Sequence, residues 1–335
     1  MMQILMTRSA FKRVADRLAK VAPDALVVTV AGEDAYECDG RPFAEADLAP
    51  EVVWLSLDSW TSGALPKLYG RIMKSPAARW TQIMAAGIDN PMFRNILEKG
   101  VRITKSSAQA TPIAEYVVAH ALSLQVPIQA QAAAQARREW TRTPYTELGH
   151  TRWVLAGFGS IGKEIAKRIK PFGVHLTVVR KHAAPDPLAD AVVGLDRFGE
   201  AASEADVVAL ACALNDDTRH MCGEAFFRAL KPGGILINIG RGGLIDEDAL
   251  RAGLDRDQPA HAVLDVFATE PLASDSWFWD HPKVRVSAHT SNSGDGNLAR
   301  GDELFLDNLA RYLAGAPLRN EADPSEVGLP AREPA

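Results

Sequence analysis

The segment Gly157-Phe158-Gly159-Ser160-Ile161-Gly162 has the glycine spacing of a loop that binds the pyrophosphate of a dinucleotide. It follows an apolar run at residues 153–156 and precedes a helical pattern, which is the context that this motif requires. In such a loop Gly157 permits the tight turn, Gly159 lets the pyrophosphate approach the backbone, and Gly162 lets helix and strand pack closely. The helix N-terminus adds amide donors and a positive dipole end. A glycine-rich turn without a ligand is the plain alternative, but the flanking elements favour a dinucleotide loop made of Gly157, Gly159, Ser160, Ile161 and Gly162.

The residue after the next strand distinguishes the two nicotinamide dinucleotides. A site for NAD places Asp or Glu there, about 20 residues after the glycine loop, to accept a hydrogen bond from the ribose 2′-hydroxyl. Here Arg180 and Lys181 follow the run 176–179, and no carboxylate occurs before Asp186. Two adjacent cations can bind a 2′-phosphate, the arginine through its bidentate fork. The pattern favours NADP(H), with NAD(H) as the alternative if the basic pair belongs only to a solvated loop.

Three more polar side chains follow apolar runs in the same half of the chain. Arg241, Glu270 and His289 each lie two to four residues beyond the end of such a run. In an open parallel sheet, ligands bind beyond the carboxyl ends of the strands. Taken singly, a solvated arginine, a glutamate in a turn and a structural histidine are ordinary explanations. Their joint placement behind a dinucleotide loop indicates a catalytic set.

Apolar, often β-branched runs alternate with helical patterns along nearly the whole chain. Several runs are apolar throughout, which is typical of strands buried on both faces of a parallel sheet. Ile161, Ile165 and Ile169 define one face of a helix, for which Gly173 is a C-terminal stop. The alternation predicts an α/β protein, and the number of strands predicts two Rossmann-like parallel-sheet domains. The predicted strands are residues 26–30, 52–57, 81–85, 101–104, 153–156, 176–179, 207–211, 235–239, 262–266 and 284–287.

Changes in composition mark the predicted domain boundaries, including a turn-rich break after Thr290. The simplest arrangement inserts a dinucleotide-binding domain, residues 118–292, into a substrate domain made of residues 1–117 and 293–335. A tail from Asn320 onward contains several Pro and Glu residues and is expected to be frayed.

Composition argues against several classes of function. The 335 residues carry a net charge of −5 with no long run of one sign, which argues against a basic face for nucleic acid. The chain has only Cys38, Cys212 and Cys222, without CxxC spacing, and no HxH or HExxH motif, so no metal site is predicted. No apolar run approaches the ~20 residues of a membrane span. We expect a protein of the reducing cytoplasm that binds neither nucleic acid nor membranes.

Several motifs occur together between residues 52 and 314. They are the glycine loop, Arg241 with Gly242, the segment LDVFATEPL that contains Glu270, and His289, together with Ala85-Ala86-Gly87-Ile88-Asp89. This combination resembles the D-isomer-specific 2-hydroxyacid dehydrogenase family. The segment AEYVVAHAL at residues 114–122, with the region that follows it, is most similar to the glyoxylate/hydroxypyruvate reductase branch.

The resemblance implies a role for each member of the catalytic set. His289 would be the acid/base, because a protonated imidazole must deliver a proton to the ketone oxygen as hydride reaches the carbon. Glu270 would be its partner and would stabilise the imidazolium. Arg241 would bind the carboxylate of a small 2-ketoacid or 2-hydroxyacid and polarise its carbonyl, and the backbone amides of Ala86 and Gly87 would hold the same carboxylate.

The resemblance also implies further contacts and a partner. A homodimer is expected, with contacts from the helix-rich segment 112–140, which Pro127 interrupts, and from the loop 144–150. Several positions depart from the family pattern. Arg180 replaces the common acidic residue, and Ala288 replaces the usual Pro before His289. Further departures occur at Ser106, at Gln125-Val126 and in the segment 211–214. Asp265 is expected near the nicotinamide, and the further cofactor contacts are expected at Cys212, Ala213, Thr218, Ile239 and Gly240.

The leading interpretation is an NADPH-dependent 2-ketoacid reductase. The alternatives within enzymes are an NAD-dependent member that oxidises a D-hydroxy acid and, less favoured because only 46 residues follow His289, a phosphoglycerate dehydrogenase with a regulatory tail. A formate dehydrogenase type is disfavoured because proteins of that branch resemble one another in a Gln–His pair, whereas this chain has Glu270 and His289. The alternative from another class is a dinucleotide-sensing interaction protein, like the corepressors built on the same fold, against which the complete Arg, Glu and His set argues.

Overall fold

The computed structural model describes residues 1–31 and 35–331, and the chain divides into two compact units. The first unit combines Met1–Ala108 with Asp295–Ala335, and the second unit is the continuous segment Gln109–Gly294. The predicted insertion of one α/β domain into another is therefore confirmed. Among the described residues, no helix combines the length and apolar character that a membrane span requires.

The N-terminal part of the first unit alternates strands and helices. Its elements are β1 (Gln3–Thr7), α1 (Arg8–Val21), β2 (Leu26–Ala31), β3 (Ala35–Cys38), β4 (Arg41–Phe43), β5 (Val52–Leu55), α2 (Leu57–Thr61), α3 (Leu65–Lys74), β6 (Trp80–Ile83), α4 (Pro91–Glu98) and β7 (Arg102–Thr104).

The second unit begins with two helices and then alternates strands with helices. Its elements are α5 (Ala110–Gln125), α6 (Ile128–Ala136), β8 (Arg152–Ala156), α7 (Ser160–Ile169), β9 (His175–Val179), β10 (Ala191–Val193), α8 (Phe198–Ser203), β11 (Val207–Leu210), α9 (Glu224–Ala229), β12 (Ile235–Asn238), α10 (Glu247–Leu254), β13 (His261–Leu264) and β14 (Val284–Val286). The long helix α11 (Asn297–Leu313) belongs to the first unit. Short 3-10 turns occupy Glu45–Asp47, Leu148–His150, Lys170–Phe172, Leu195–Arg197, Gly242–Leu244 and Pro324–Val327.

Within the described part of the first unit, the sheet has seven strands in the order β4-β3-β2-β1-β5-β6-β7. The strands from β2 to β7 in that order run parallel, whereas β3 and β4 add an antiparallel hairpin at one edge. Every residue of β5 and β6 is buried, as expected for strands that are covered on both faces.

The sheet of the second unit is parallel throughout, in the order β10-β9-β8-β11-β12-β13-β14. The chain builds outward from β8 in one direction through β9 and β10, and then resumes on the other side with β11. The carboxyl ends of β8 and β11 therefore form the switch point at which open α/β sheets bind ligands.

Helix α5 belongs to the second unit along its whole length. Its buried residues, among them Ile113 and Val117, join a core cluster with Ile165 and Ile169 of α7. A helix that buries its apolar side in one core is not divided between two units. The compact units consequently separate between residues 108 and 109, nine residues before the predicted position, and again between residues 294 and 295.

Local signals set several element ends where the sequence predicts them. Helix α7 gives way to the turn Lys170–Phe172, and Gly173 closes it with a left-handed φ of +84°. Pro127 lies between α5 and α6, at the predicted interruption.

The strands β1, β3, β4 and β10 are absent from the predicted set.

The prediction of a frayed tail is wrong for residues 320–331. Arg102 of β7 binds Glu321 through two hydrogen bonds of 2.8 and 2.7 Å, and Lys105 pairs with Glu326 at 2.6 Å. These ion pairs hold the tail against the first unit, whereas the last four residues of the predicted tail lie outside the described residues.

We predict that Phe305→Ala in α11 lowers the free energy of unfolding of the first unit by about 3–5 kcal/mol. Phe305 is fully buried, and its ring lies 4.2 Å from the ring of Trp54 and 5.8 Å from that of Trp80, measured between centroids. Urea unfolding followed by tryptophan fluorescence measures the change. Leu313→Ala, on an exposed residue of the same helix, is the control and should change stability by less than about 0.5 kcal/mol. Equal effects of the two substitutions would contradict the packing.

Candidate active site

The glycine loop lies at the switch point of the second sheet, where only glycine fits at its first position. Gly157 has a φ of +100°, and a Cβ built on it would lie 2.6 Å from the backbone carbon of Ala211, which follows β11. A Cβ on Gly162 would lie 2.3 Å from the carbonyl oxygen of Gly157, so the third glycine lets α7 approach the loop. The side-chain position of Gly159 has no atom within 4 Å, so a ligand can approach the backbone there. These are the three roles that the motif predicts.

A cavity of about 780 Å³ opens at this loop. It is lined by most of the residues to which the sequence assigns cofactor contacts, namely Gly157, Gly159, Arg180, Lys181, Cys212, Ala213 and Thr218. The other predicted contacts do not line it: Ser160, Ile161 and Gly162 lie in the first turn of α7, and Ile239, Gly240 and Asp265 follow β12 and β13. Their contacts with a cofactor remain predictions.

The cavity also contains two carboxylates that sequence reasoning missed. Asp196 follows β10, and Asp217 lies in the loop after β11. Strand β10 has only three residues, all half-buried, so no long apolar run marks it, and the loop at its carboxyl end carries no motif.

Arg180 has an unsatisfied donor beside this cavity. Its guanidinium carbon lies 5.7 Å from the centre of the Phe158 ring, and its Nη2 donates to the carbonyl oxygen of Ala184. Its Nε is buried and has no hydrogen-bond partner among the described residues. A buried donor without a partner carries a free-energy cost that an anionic ligand removes. With the exposed Lys181 next to it and the amide groups of α7 above the glycine loop, the residues present fit a phosphorylated dinucleotide.

Thr218 and Cys212 shape the wall of the cavity. The hydroxyl of Thr218 donates to the carbonyl oxygen of Ala213 at 2.8 Å and accepts from the amide of Asn215 at 2.8 Å, which folds the loop after β11. Burial raises the pKa of Cys212 to about 11, so its thiol stays protonated and is a wall residue rather than a nucleophile.

Glu270 and His289 form a hydrogen-bonded pair in the second unit. The Nδ1 of His289 lies 2.8 Å from Oε2 of Glu270, and the other carboxylate oxygen accepts the amide of Phe267 at 3.0 Å. Both side chains remain partly exposed, at 44% for the imidazole and 36% for the carboxylate. A ring whose Nδ1 donates to a carboxylate keeps its Nε2 for proton exchange with a ligand.

Asp265 is buried and holds the loop that carries His289. The amide of His289 donates to the backbone carbonyl of Asp265 at 2.8 Å. The amide of Thr290 donates to Oδ1 of Asp265 at 2.8 Å, and that of Ser291 to Oδ2 at 3.0 Å. Three successive N–H groups thus surround one residue, in the manner of a backbone nest around an anion.

Arg241 is positioned by the buried Asn238 at the end of β12. The side chain of Asn238 donates to the carbonyl oxygen of Arg241 at 2.9 Å and accepts the amide of Gly240 at 3.1 Å. Sequence reasoning did not single out Asn238, because a lone amide at a strand end carries no motif.

The remaining predicted residues, Ala86 and Gly87, lie in the first unit, half-buried beyond the carboxyl end of β6. Their contact with a substrate remains a prediction. Within residues 1–31 and 35–331, no group of three or more His, Cys, Asp or Glu side chains is placed to hold a metal ion.

Comparison with known proteins shows the family of this chain. Residues 118–291 match the model of the D-isomer specific 2-hydroxyacid dehydrogenase, NAD binding domain. The chain belongs to this family. It is thus a member of a family of NAD(P)-dependent oxidoreductases that act on CH–OH groups.

Two curated relatives illustrate the range of the family. The chain is 33% identical over 252 residues to D-3-phosphoglycerate dehydrogenase 2, chloroplastic, of Arabidopsis thaliana, a match that covers 74% of this chain but only 39% of that protein. It is 29% identical over 264 residues to glyoxylate/hydroxypyruvate reductase B of Klebsiella pneumoniae, which covers 75% of this chain and 80% of that protein.

Two solved structures share the fold over nearly the whole chain. A D-isomer specific 2-hydroxyacid dehydrogenase family protein of Aeromonas salmonicida has a TM-score of 0.74 at 25% identity and covers 96% of this chain and 99% of its own. An NADPH-dependent glyoxylate/hydroxypyruvate reductase of Sinorhizobium meliloti, solved with NADP and sulfate, has a TM-score of 0.76 at 22% identity and covers 97% and 99%.

We predict that Gly242→Ala destabilises the second unit by roughly 1–3 kcal/mol, because overpacking forces the backbone to shift. A Cβ on Gly242 would lie 1.9 Å from the backbone carbon of Phe267, so the loop of Arg241 and the loop of Glu270 would have to separate. Thermal and urea unfolding measure the effect. Gly199→Ala in α8 is the control, since its Cβ meets no atom within 4 Å and should leave stability unchanged or slightly raised. Unchanged stability of the Gly242 variant would show that the two loops do not require their close approach.

Proposed function

We propose that the protein reduces a small 2-ketoacid to the 2-hydroxyacid with NADPH, as a glyoxylate/hydroxypyruvate reductase type of enzyme. The observation that carries the proposal is the Glu270–His289 pair at the carboxyl edge of the sheet whose switch point holds the dinucleotide loop. The glyoxylate/hydroxypyruvate reductases of Klebsiella pneumoniae and Sinorhizobium meliloti support this substrate class.

In the proposed reaction, bound NADPH supplies the hydride, and the protein supplies geometry and charge. His289 donates a proton to the ketone oxygen, and Glu270 holds the ring and stabilises its protonated form until that proton has left. Arg241 binds the substrate carboxylate through its planar fork and draws electron density from the carbonyl oxygen. The backbone amides of Ala86 and Gly87 are proposed to hold the same carboxylate.

The residues proposed to hold NADPH are those of the glycine loop, together with Arg180 and Lys181. The first-turn amides of α7 would bind the pyrophosphate, and Asp265 would lie near the nicotinamide. NAD(H) is the second candidate cofactor, and it is favoured by one observation, the carboxylate of Asp196 on the same cavity, which could accept a hydrogen bond from a ribose hydroxyl.

We predict that His289→Asn and Arg241→Ala each lower kcat/KM for glyoxylate or hydroxypyruvate by about 10²- to 10⁴-fold, the range for loss of a positioned proton donor. Both groups act mainly in the transition state, so the affinity for NADPH should change little. Steady-state kinetics at 340 nm and fluorescence titration of NADPH measure the two quantities.

Near-normal turnover in either variant would contradict the assigned roles. Binding of NADPH by the native protein without turnover of any ketoacid in a panel would favour the dinucleotide-sensing alternative.

We predict a preference for NADPH over NADH that depends on Arg180. A guanidinium paired with the 2′-phosphate at a partly exposed site contributes about 1.5–3 kcal/mol, or roughly ten- to hundredfold in affinity. Arg180→Asp should therefore lower the ratio of kcat/KM for NADPH to that for NADH by at least about tenfold, with a parallel loss of NADPH affinity in fluorescence titrations. Added salt should weaken NADPH binding more than NADH binding.

Arg256→Asp is the matched control, since Arg256 is exposed in the same unit and does not line the cavity. If the native protein prefers NADH, or if Arg180→Asp leaves the ratio unchanged, the basic pair is only a solvated loop.

We further propose that the protein is a cytoplasmic homodimer with contacts from the helical segment 112–140 and the loop 144–150. No residue of α6 is buried within one chain, and Ile128 and Trp140 are exposed at 51% and 101%. Such apolar exposure is typical of a surface that a second copy covers. Light scattering at micromolar concentration tests the dimer, and a monomer there would contradict it.

A further inference from the structure

We propose that Tyr116 and Ser287 are positioning residues for His289, which they hold in place through Asp265. This inference rests on the proposed role of His289 as the proton donor. Neither side chain belongs to the predicted catalytic or binding set, and they reach the site from α5 and from the end of β14.

The contacts form a continuous polar chain within the second unit. The hydroxyl of Ser287 donates to Oδ1 of Asp265 at 2.6 Å, and the hydroxyl of Tyr116 lies 2.6 Å from that of Ser287. A serine hydroxyl has one proton, which Ser287 gives to the carboxylate, so the tyrosine must be the donor to Ser287. The direction of the chain is thus fixed from Tyr116 through Ser287 to Asp265.

The loop that carries His289, which these hydrogen bonds support, contains strained backbone. His289 has a φ of +50°, in the left-handed region that non-glycine residues rarely adopt. Such a conformation persists only where several surrounding contacts hold it. Here Asp265 provides these contacts, because its backbone carbonyl and its carboxylate accept the amides of His289, Thr290 and Ser291.

Asp265 can hold the loop only if its own side chain is fixed. It is 1% exposed, and its carboxylate accepts hydrogen bonds from the amides of Thr290 and Ser291 and from the hydroxyl of Ser287. Ser287 is therefore the side-chain contact that orients the carboxylate toward the amides. Without that hydroxyl, the carboxylate can rotate, and the loop can release His289 from Glu270.

The surroundings of Tyr116 suit a permanent donor. Its ring lies against that of His120, with centroids 4.3 Å apart, and the guanidinium of Arg285 is held nearby by Ser123. Burial raises the pKa of Tyr116, so its hydroxyl keeps its proton across the working range. Burial and the charge of Arg285 lower the pKa of His120, so that ring is neutral and does not compete for Asp265.

The first experiment measures reduction of glyoxylate or hydroxypyruvate by Ser287→Ala, Ser287→Thr and Tyr116→Phe. Ser287→Ala should lower kcat by about 10- to 100-fold, since a small misplacement of a catalytic group costs that much. Tyr116→Phe should lower kcat by roughly 3- to 10-fold, because the Ser287–Asp265 bond remains. Ser287→Thr keeps the hydroxyl and should restore most of the rate. The Kd for NADPH, from fluorescence titration, should change less than about twofold in all three.

The second readout is the pH–rate profile, which a loss of stability alone does not move. Reduction requires the protonated imidazole, so the rate falls as pH rises through the midpoint of the profile. A ring that leaves Glu270 part of the time has its protonated form less stabilised. The midpoint of the pH–rate profile should therefore move to lower pH in Ser287→Ala.

Two matched controls remove a hydroxyl elsewhere. Tyr69→Phe removes a hydroxyl that accepts from Asn95 in the first unit, and Ser203→Ala removes an exposed hydroxyl in the second. Both should retain the native kcat and pH profile. If Ser287→Ala does not fold, the kcat and the pH–rate profile of Tyr116→Phe are sufficient to test the hydrogen-bond chain.

The inference is overturned if Ser287→Ala and Tyr116→Phe keep the native kcat and midpoint, or if Ser287→Thr is as slow as Ser287→Ala. His289→Asn in the same assay separates this failure from that of the proposed function. A slow His289→Asn with normal Ser287 and Tyr116 variants removes only the positioning chain, whereas a normal His289→Asn removes the proton donor itself.

Discussion

The arrangement of the site depends on one buried carboxylate. Asp265 follows β13, and its carboxylate accepts the amides of Thr290 and Ser291, while its backbone carbonyl accepts the amide of His289. Two neighbouring strand ends are thus joined by hydrogen bonds. A carboxylate removed from water needs such hydrogen-bond donors. The amides reach Asp265 only when His289 has its left-handed backbone. The pairing of His289 with Glu270 follows from this backbone contact.

Close backbone approaches complete the same edge of the sheet. Gly157 brings the dinucleotide loop against the end of β11, and Gly242 brings the loop of Arg241 against Phe267, three residues before Glu270. Side chains at either position would force neighbouring strand ends apart. This edge of the sheet therefore combines the hydrogen bonds of Asp265 with two close backbone contacts, at Gly157 and Gly242, that leave no room for a Cβ. These contacts position the loops that carry the proposed catalytic side chains.

The parts of this structure that the sequence predicts are those with local signals. Apolar runs marked most strands of both sheets, although not β1 in the middle of the first sheet, and the glycine spacing marked the pyrophosphate loop. Each of these signals lies within a few consecutive residues. The short strands β3, β4 and β10 carry no such run, so the cavity residue Asp196 could not be foreseen. Asp265 was placed correctly at a strand end, but its partners lie 22 to 26 residues later and are mostly backbone amides, which no residue type reveals. Tyr116 could not be singled out either, because it lies within a helical pattern and its partner Ser287 is 171 residues later.

The first unit is made of two stretches that are separated by the whole second unit, and this has a consequence for synthesis on the ribosome. Phe305 and Leu309 of α11 cover the apolar residues Met6, Trp54 and Trp80, which are translated about 225 to 300 residues earlier. At about 5–20 residues per second, these strands remain uncovered by α11 for roughly 10–60 seconds. The second unit is contiguous and can finish folding during that interval. The nascent first sheet is therefore the part of the molecule that most needs a chaperone while translation continues.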